Sequence, residues 1–258
     1  MTLPPPPDHF VWINESWGAA LRCQPLEPLA RHLFTTRQLE LTPDPLRALA
    51  TGLGAGQLLL LHQVHGNDVA SVRSESAVPG ERPKADAVVS AARCVGVSVR
   101  VADCVPLLIA DATTGAVGAV HAGWRGTAAR VAPAAIEAMH REFGARAEDL
   151  VVAIGPSIRR CCYEVGSDVV DAFAAAGHER YLIDRWFTVP PSRPGSDRPK
   201  LRLDVASANR DQLILAGVRE ANIYDCGLCT AMHLDILTSY RVEREKAGRL
   251  FAAIACNA

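Results

Sequence analysis

The sequence predicts a layered α+β fold, with α/β layers around a large mixed sheet, in a single domain. Three observations predict it. Short apolar runs of strand length recur along the chain, bounded by Gly, Pro and Asp. Segments of helical periodicity fall among them in no regular strand–helix alternation, which argues for mixed rather than purely parallel pairing. A chain of 258 residues that is 49% hydrophobic and 21% charged also buries roughly three quarters of its unfolded surface, a full core without metal or disulfide staples.

Taken in order, residues 1–20 carry a proline run at 4–7 and read as an extended or poorly ordered leader. Residues 57–63 (QLLLLHQ), 86–90, 95–101, 105–110, 116–120 and 150–154 read as strands. Ala128, Ala132, Ala135, Ile136, Met139 and Phe143 recur at helical spacing, and Pro133 either kinks that helix or marks its true start. Residues 166–176 and 204–216 read as two more helices, and 189–198 (VPPSRPGSDR) as a flexible surface loop. Strands at 223–226, 239–242 and 250–255 complete the sheet. There is no internal repeat and no stretch long enough for a domain linker, so 1–258 is read as one domain.

Lys and Arg total 27 against 28 Asp and Glu, a formal charge of −1. That balance excludes a dedicated nucleic-acid or membrane-surface binder, whose phosphate contacts need a basic excess. No run approaches the ~18 apolar residues of a membrane span, and the first residues lack the basic and apolar regions of a secretory signal. The expected compartment is the cytoplasm, where the eight cysteines stay reduced and serve packing, catalysis or metal binding. The sequence carries no signal of an oligomeric state.

The chemistry centres on Cys104 and His121. Asp111-Ala112-Thr113-Thr114-Gly115 is a turn sequence between two apolar runs, so 104–121 is expected to be a β-hairpin. With a four-residue loop at 111–114, Leu108 faces Val117, Pro106 faces Ala119 and Cys104 faces His121, thiol and imidazole on one face. A one-residue slip would separate them. After His121, Gly123 and Gly126 allow close approach of the backbone, a helix N-terminus points at the same region, and Arg125 offers a guanidinium for phosphate or carboxylate. His62 and His65 fall on opposite sides of a strand; His65, at its end beside Gly66, is the preferred third member. One Cys and two His suit Zn²⁺ with a fourth position left for water or substrate. Asp103 and Glu164 are candidates to orient the histidines. Cys226 and Cys229 have CxxC spacing and, with Cys161 and Cys162, allow a second zinc site, but no second CxxC supports it.

The motifs HQVHG at 62–66, ADC at 102–104, PLL at 106–108 and HAGWRG at 121–126 together resemble the YfiH-like, or laccase-domain, family. Its members are called multicopper polyphenol oxidoreductases or purine nucleoside phosphorylases. The resemblance continues through IGP at 154–156, CYEV at 162–165, CT at 229–230, SYR at 239–241 and GR at 248–249. It implies a layered fold related to cysteine-hydrolase toxins, and metal and catalytic residues at His65, Cys104 and His121. Expected substrate-binding residues are Arg37, Gln63, Arg125 and Arg241. The chain departs from the family after Thr35-Thr36-Arg37, where Gln38-Leu39 stand in place of a glycine pair and the Asn-Leu-Gly segment is missing.

The activity implied by the resemblance is zinc-dependent phosphorolysis of adenosine, inosine or methylthioadenosine, with adenosine deamination beside it. One zinc per chain is expected, with copper as the other candidate metal, and a nucleoside and phosphate as the small-molecule partners. A second implied reading is a peptidoglycan-editing amidohydrolase that removes a wrongly incorporated serine from muramyl precursors, by metal-assisted hydrolysis or by Cys104 as nucleophile. A third is a copper-dependent polyphenol oxidase, for which eight histidines and eight cysteines must supply ligands to several coppers at once. A metal-binding protein without activity is the non-enzymatic reading.

Overall fold

Side chains pointing alternately to the two faces of each strand sort the core of this computed structural model, which describes residues 3–189 and 201–257, into three apolar layers. In chain order, β1 (Phe10–Glu15), β2 (Gly18–Cys23) and β3 (Ala30–Thr35) lead to α1 (Pro45–Gly52), β4 (Gln57–Leu60), β5 (Val69–Val72) and β6 (Ala87–Ser90). Then come β7 (Val95–Val101), β8 (Val105–Asp111), β9 (Val117–Ala122), α2 (Trp124–Ala128), α3 (Val131–Phe143) and β10 (Leu150–Ile154). The last part comprises α4 (Ser167–Ala175), α5 (Arg180–Trp186), β11 (Phe187–Thr188), β12 (Arg202–Leu203), α6 (Val205–Leu215), β13 (Ile223–Asp225), α7 (Tyr240–Glu243) and β14 (Leu250–Cys256).

The expected mixed sheet is two mixed sheets of six strands, ordered β1-β2-β3-β14-β7-β4 and β13-β10-β8-β9-β6-β5. β8 shows why they stack. Its residues are buried on both faces, as in strands covered on each side. Leu108 and Ala110 face the first sheet, among Phe34, Val97, Val99 and Ile254. Leu107 and Ile109 face the other way, toward Ile136 and Met139 of α3 and Leu213 of α6. The far side of the first sheet is covered by α1 and the turn before it through Leu39, Leu49 and Leu53. The result is four layers, helix–sheet–sheet–helices.

Several expectations need correction. Residues 1–20 are not a leader throughout: β1 and β2 pair as an antiparallel hairpin at the edge of the first sheet. The apolar run Phe10–Ile13 is only four residues long and follows closely on the proline run, which hid the strand. Residues 239–242 are not a strand: they open into α7, where the N–H groups of Ser239 and Arg241 donate to the carboxylates of Glu243 and Asp103. Pro133 begins rather than kinks: α3 starts at Val131 after Arg130 in left-handed backbone, so the missing N–H falls in the first turn. The 189–198 loop lies outside the described residues except for Val189, which is exposed.

Candidate metal centre

The two sheets are joined by crossovers, and the crossovers carry the site. β7 ends the first sheet at Val101 and β8 starts the second at Val105, so Cys104 sits on the bend between them. His65 lies on another crossing, between β4 and β5. His121 stands near the end of β9 on the inter-sheet face, in phase with Val117 and Ala119. Their ligand atoms lie within 4.8 Å of one another, and the two imidazole rings meet edge to face with centroids 4.8 Å apart.

The hairpin register differs from the expected one. His121 pairs with Pro106 and Ala119 with Leu108, a shift of two residues that puts Cys104 across from Gly123. Asp111 causes it: its carboxylate accepts the N–H groups of Thr113 and Thr114, which keeps Asp111 in the strand and moves the turn outward. An even shift preserves the face, so Cys104 and His121 remain together as a diagonal pair. Gly123 is required by this packing, because a Cβ there would lie 2.9 Å from Cys104 Sγ and 3.1 Å from His65 Cδ2.

The residue that orients the site is Asp86, fully buried, which sequence reasoning missed. It precedes β6, whose pairing of Ala87 with Val120 puts Asp86 beside His121. Its Oδ1 accepts from His121 Nδ1 at 2.7 Å, and its carboxylate also accepts the N–H groups of Val64, His65 and Gly66 at 3.1, 2.9 and 2.7 Å. One carboxylate thus fixes two candidate ligands. It places the Nδ1 proton of His121 and leaves Nε2 for a metal, and it holds the loop in which His65 adopts φ 63°. Although burial alone would raise it, these hydrogen bonds hold the Asp86 carboxyl below its ordinary range. The available signal was an Asp at the head of an all-apolar strand, where an unpaired carboxylate would be costly.

Cys104 and His121 are coupled. Burial opposes ionisation of the Cys104 thiol, but the charge and hydrogen bond of His121, with help from His65, pull it down to about 6. Burial also opposes protonation of His121, yet the Cys104 thiolate and Asp86 raise it to about 9. Each thus favours the charged form of the other. With metal the thiolate is already the required ligand form. A soft sulfur and two borderline nitrogens at this separation fit zinc or copper.

The ligands border a cavity of ≈ 660 Å³ lined also by Gln63, Arg100, Tyr240, Glu245 and Arg249. Of the expected substrate-binding residues only Gln63 lines it, and its amide is held by the N–H and C=O of Arg100 at 2.9 and 2.8 Å. Arg37 is held by Leu234 O and Glu243, Arg125 is exposed and stacks on Trp124, and Arg241 donates to Glu164 O. Asp103 does not orient a histidine: it accepts from Thr230 Oγ1 and Arg241 N, both at 2.6 Å. Glu164 faces Arg202 at 3.8 Å. Where the glycine pair is absent, Gln38 accepts the Ala19 N–H at 2.8 Å and Leu39 is fully buried. The departure is therefore absorbed into the first sheet's support.

A family profile described as multi-copper polyphenol oxidoreductase laccase matches residues 44–257. The chain belongs to this family. A purine nucleoside phosphorylase of Deinococcus radiodurans is 36% identical over 207 residues, covering 80% of this chain and 73% of that protein. Adenosine deaminase RL5, from an unknown prokaryotic organism, is 34% identical over 217 residues, covering 80% and 78%. The crystal structure of YlmD from Geobacillus stearothermophilus superposes with a TM-score of 0.80 at 28% identity, over 96% of this chain and 99% of that one. The YfiH protein of Bacillus licheniformis, at 22% identity and a TM-score of 0.81, shares the fold. Among the described residues of this laccase-family chain, no helix is long and apolar enough to cross a membrane.

Proposed function

We propose that this protein is a zinc-dependent purine nucleoside phosphorylase acting on adenosine, inosine and methylthioadenosine, with adenosine deamination as a second activity of the same site. The observation that carries the reading is the cavity itself, which sets the His65, Cys104 and His121 cluster beside two arginines, Arg100 and Arg249. Zinc bound by these ligands would supply a Lewis acid with one position free for substrate, and copper is the alternative ion. Asp86 orients His121 and the His65 loop around it. Arg100 is half-buried, and burial together with the charges of Arg82 and Arg249 lowers its affinity for its proton. A phosphate dianion relieves that crowding, so Arg100 and Arg249 are assigned to phosphate. Both also line an adjoining ≈ 330 Å³ cavity with Arg82.

A multicopper electron relay has poorer support from the ligand set. His32 is buried, with both ring nitrogens on backbone groups, and His178 is held by Ala128 O.

The test is purified protein with adenosine, with and without phosphate. Phosphate-dependent release of adenine is expected, with Arg100→Ala raising KM for phosphate at least about tenfold while deamination is spared. Cleavage of a seryl-muramyl amide with adenosine untouched would replace this reading with the amidohydrolase.

A further inference from the structure

Three of the remaining cysteines, none of them lining the cavity at Cys104, converge on one another. The Sγ atoms of Cys161, Cys162 and Cys229 lie within 4.8 Å of one another, those of Cys161 and Cys162 at 3.5 Å. They come from two segments, the turn after β10 and the loop after β13, about seventy residues apart in the chain. Both segments are fixed by contacts that do not involve sulfur. Arg159 grips Asp225 with two hydrogen bonds, 2.8 and 2.5 Å. Ser157 bridges Cys229 as a strand pair, with Ser157 N donating to Leu228 O and Thr230 N to Ser157 O. Cys162 N donates to Arg159 O at 2.8 Å, and Arg202 Nη1 to Cys161 O at 2.8 Å. The three sulfurs are therefore held in place by the backbone.

Cys226 is not part of the group, despite its CxxC spacing with Cys229. It is buried in the inter-sheet core and accepts weakly from Arg159 at 3.9 Å. The four-cysteine zinc site that the spacing allowed is thus reduced to three thiols. Ser157 Oγ, on the bridge partner of Cys229, is buried and has no hydrogen-bond partner among the described residues.

We propose that Cys161, Cys162 and Cys229 form a second metal site, taking a thiophilic d10 ion, Cu⁺ or Zn²⁺, through three thiolates. Such ions favour thiolate, and sulfurs from 3.5 to 4.8 Å apart need only side-chain adjustment to share ligands at the ~2.3 Å metal–sulfur distance. Binding is a ligand exchange: each thiol that ligates releases its proton to solvent, and no electron is transferred. Arg159, Arg160 and Arg202 line the cavity beside Cys161. Three sulfurs without nitrogen suit trigonal Cu⁺; zinc would draw a fourth ligand from solvent or Ser157. An ion here clamps the loop at Cys229, next to Thr230, whose hydroxyl holds Asp103 beside Cys104. The site does not depend on the nucleoside reading.

The test is metal titration of the full chain carrying Cys104→Ala, which disables the first site. Cu⁺ is delivered against a colorimetric Cu⁺ chelator in one arm, and Zn²⁺ against a zinc indicator in the other. The expected result is one equivalent of Cu⁺ or Zn²⁺ retained, and lost when Cys162→Ser or the exposed Cys161→Ser is added. Retention of neither ion, or retention that both serine variants leave unchanged, overturns the proposal. Nucleoside turnover by the otherwise unaltered chain reports on the first site separately.

Discussion

At the scale of the residue, Asp86 does most to define the centre, since four groups from two segments converge on its carboxylate. Asp86→Asn removes the charge and one acceptor, and metal affinity is expected to fall about 10–100-fold, measured by chelator competition. Unchanged affinity would show that His121 is positioned by packing alone. Cys104 makes the second prediction. In protein stripped of metal, its alkylation rate rises with a midpoint near the thiol's depressed value of about 6, because thiolate is the form above that pH. Removing the imidazolium with His121→Ala raises the midpoint toward the ~8.5 of a free thiol. A midpoint unmoved by that change would remove the coupling. Cys104, His121 and His65 were legible in the sequence because turn chemistry and strand alternation give faces. Asp86 and Arg100 were not, because their places at the site depend on strand neighbours set by long-range pairing.

At the scale of the element, the β8–β9 hairpin shows what sequence reading gives and misses. The turn residues located the hairpin and the alternation located the face. The register was two residues off because Asp111 acts as a cap inside the strand rather than as the first loop residue. The corrected register makes Gly123 the diagnostic position. Its φ of −72° suits any residue, so Gly123→Ala tests only the contact with Cys104 and His65. It should abolish metal retention while leaving the circular dichroism spectrum unchanged, and retained metal would contradict the register. α7 was misread as a strand because Ser239–Val242 is short and half apolar. Its turn is instead imposed by the N–H groups of Ser239 and Arg241 donating to Glu243 and Asp103, the second distant in sequence.

At the scale of the molecule, the four layers hold two sheets in contact while the chain crosses between them at 61–68, 91–94, 102–104 and 226–249. Layering was legible from composition and alternation, but the division into two sheets was not, since β14 returns to pair between β3 and β7. Phe34 lies where the sheets meet, close enough to Gly155 that a Cβ there would overlap its ring. Phe34→Ala should cost roughly 3–5 kcal/mol, read as a fall in Tm at about 2–4 °C per kcal/mol. A loss below ~1 kcal/mol would mean that the sheets do not depend on this contact.

Activity of the proposed kind requires His65, Cys104 and His121 to grip one ion. The most direct measurement is elemental analysis of protein as purified, on a Cys162→Ser background so that the second cluster contributes nothing. Roughly one zinc per chain is predicted, falling to none when His121→Ala is added. The same metal content in both proteins, or none in either, would contradict it.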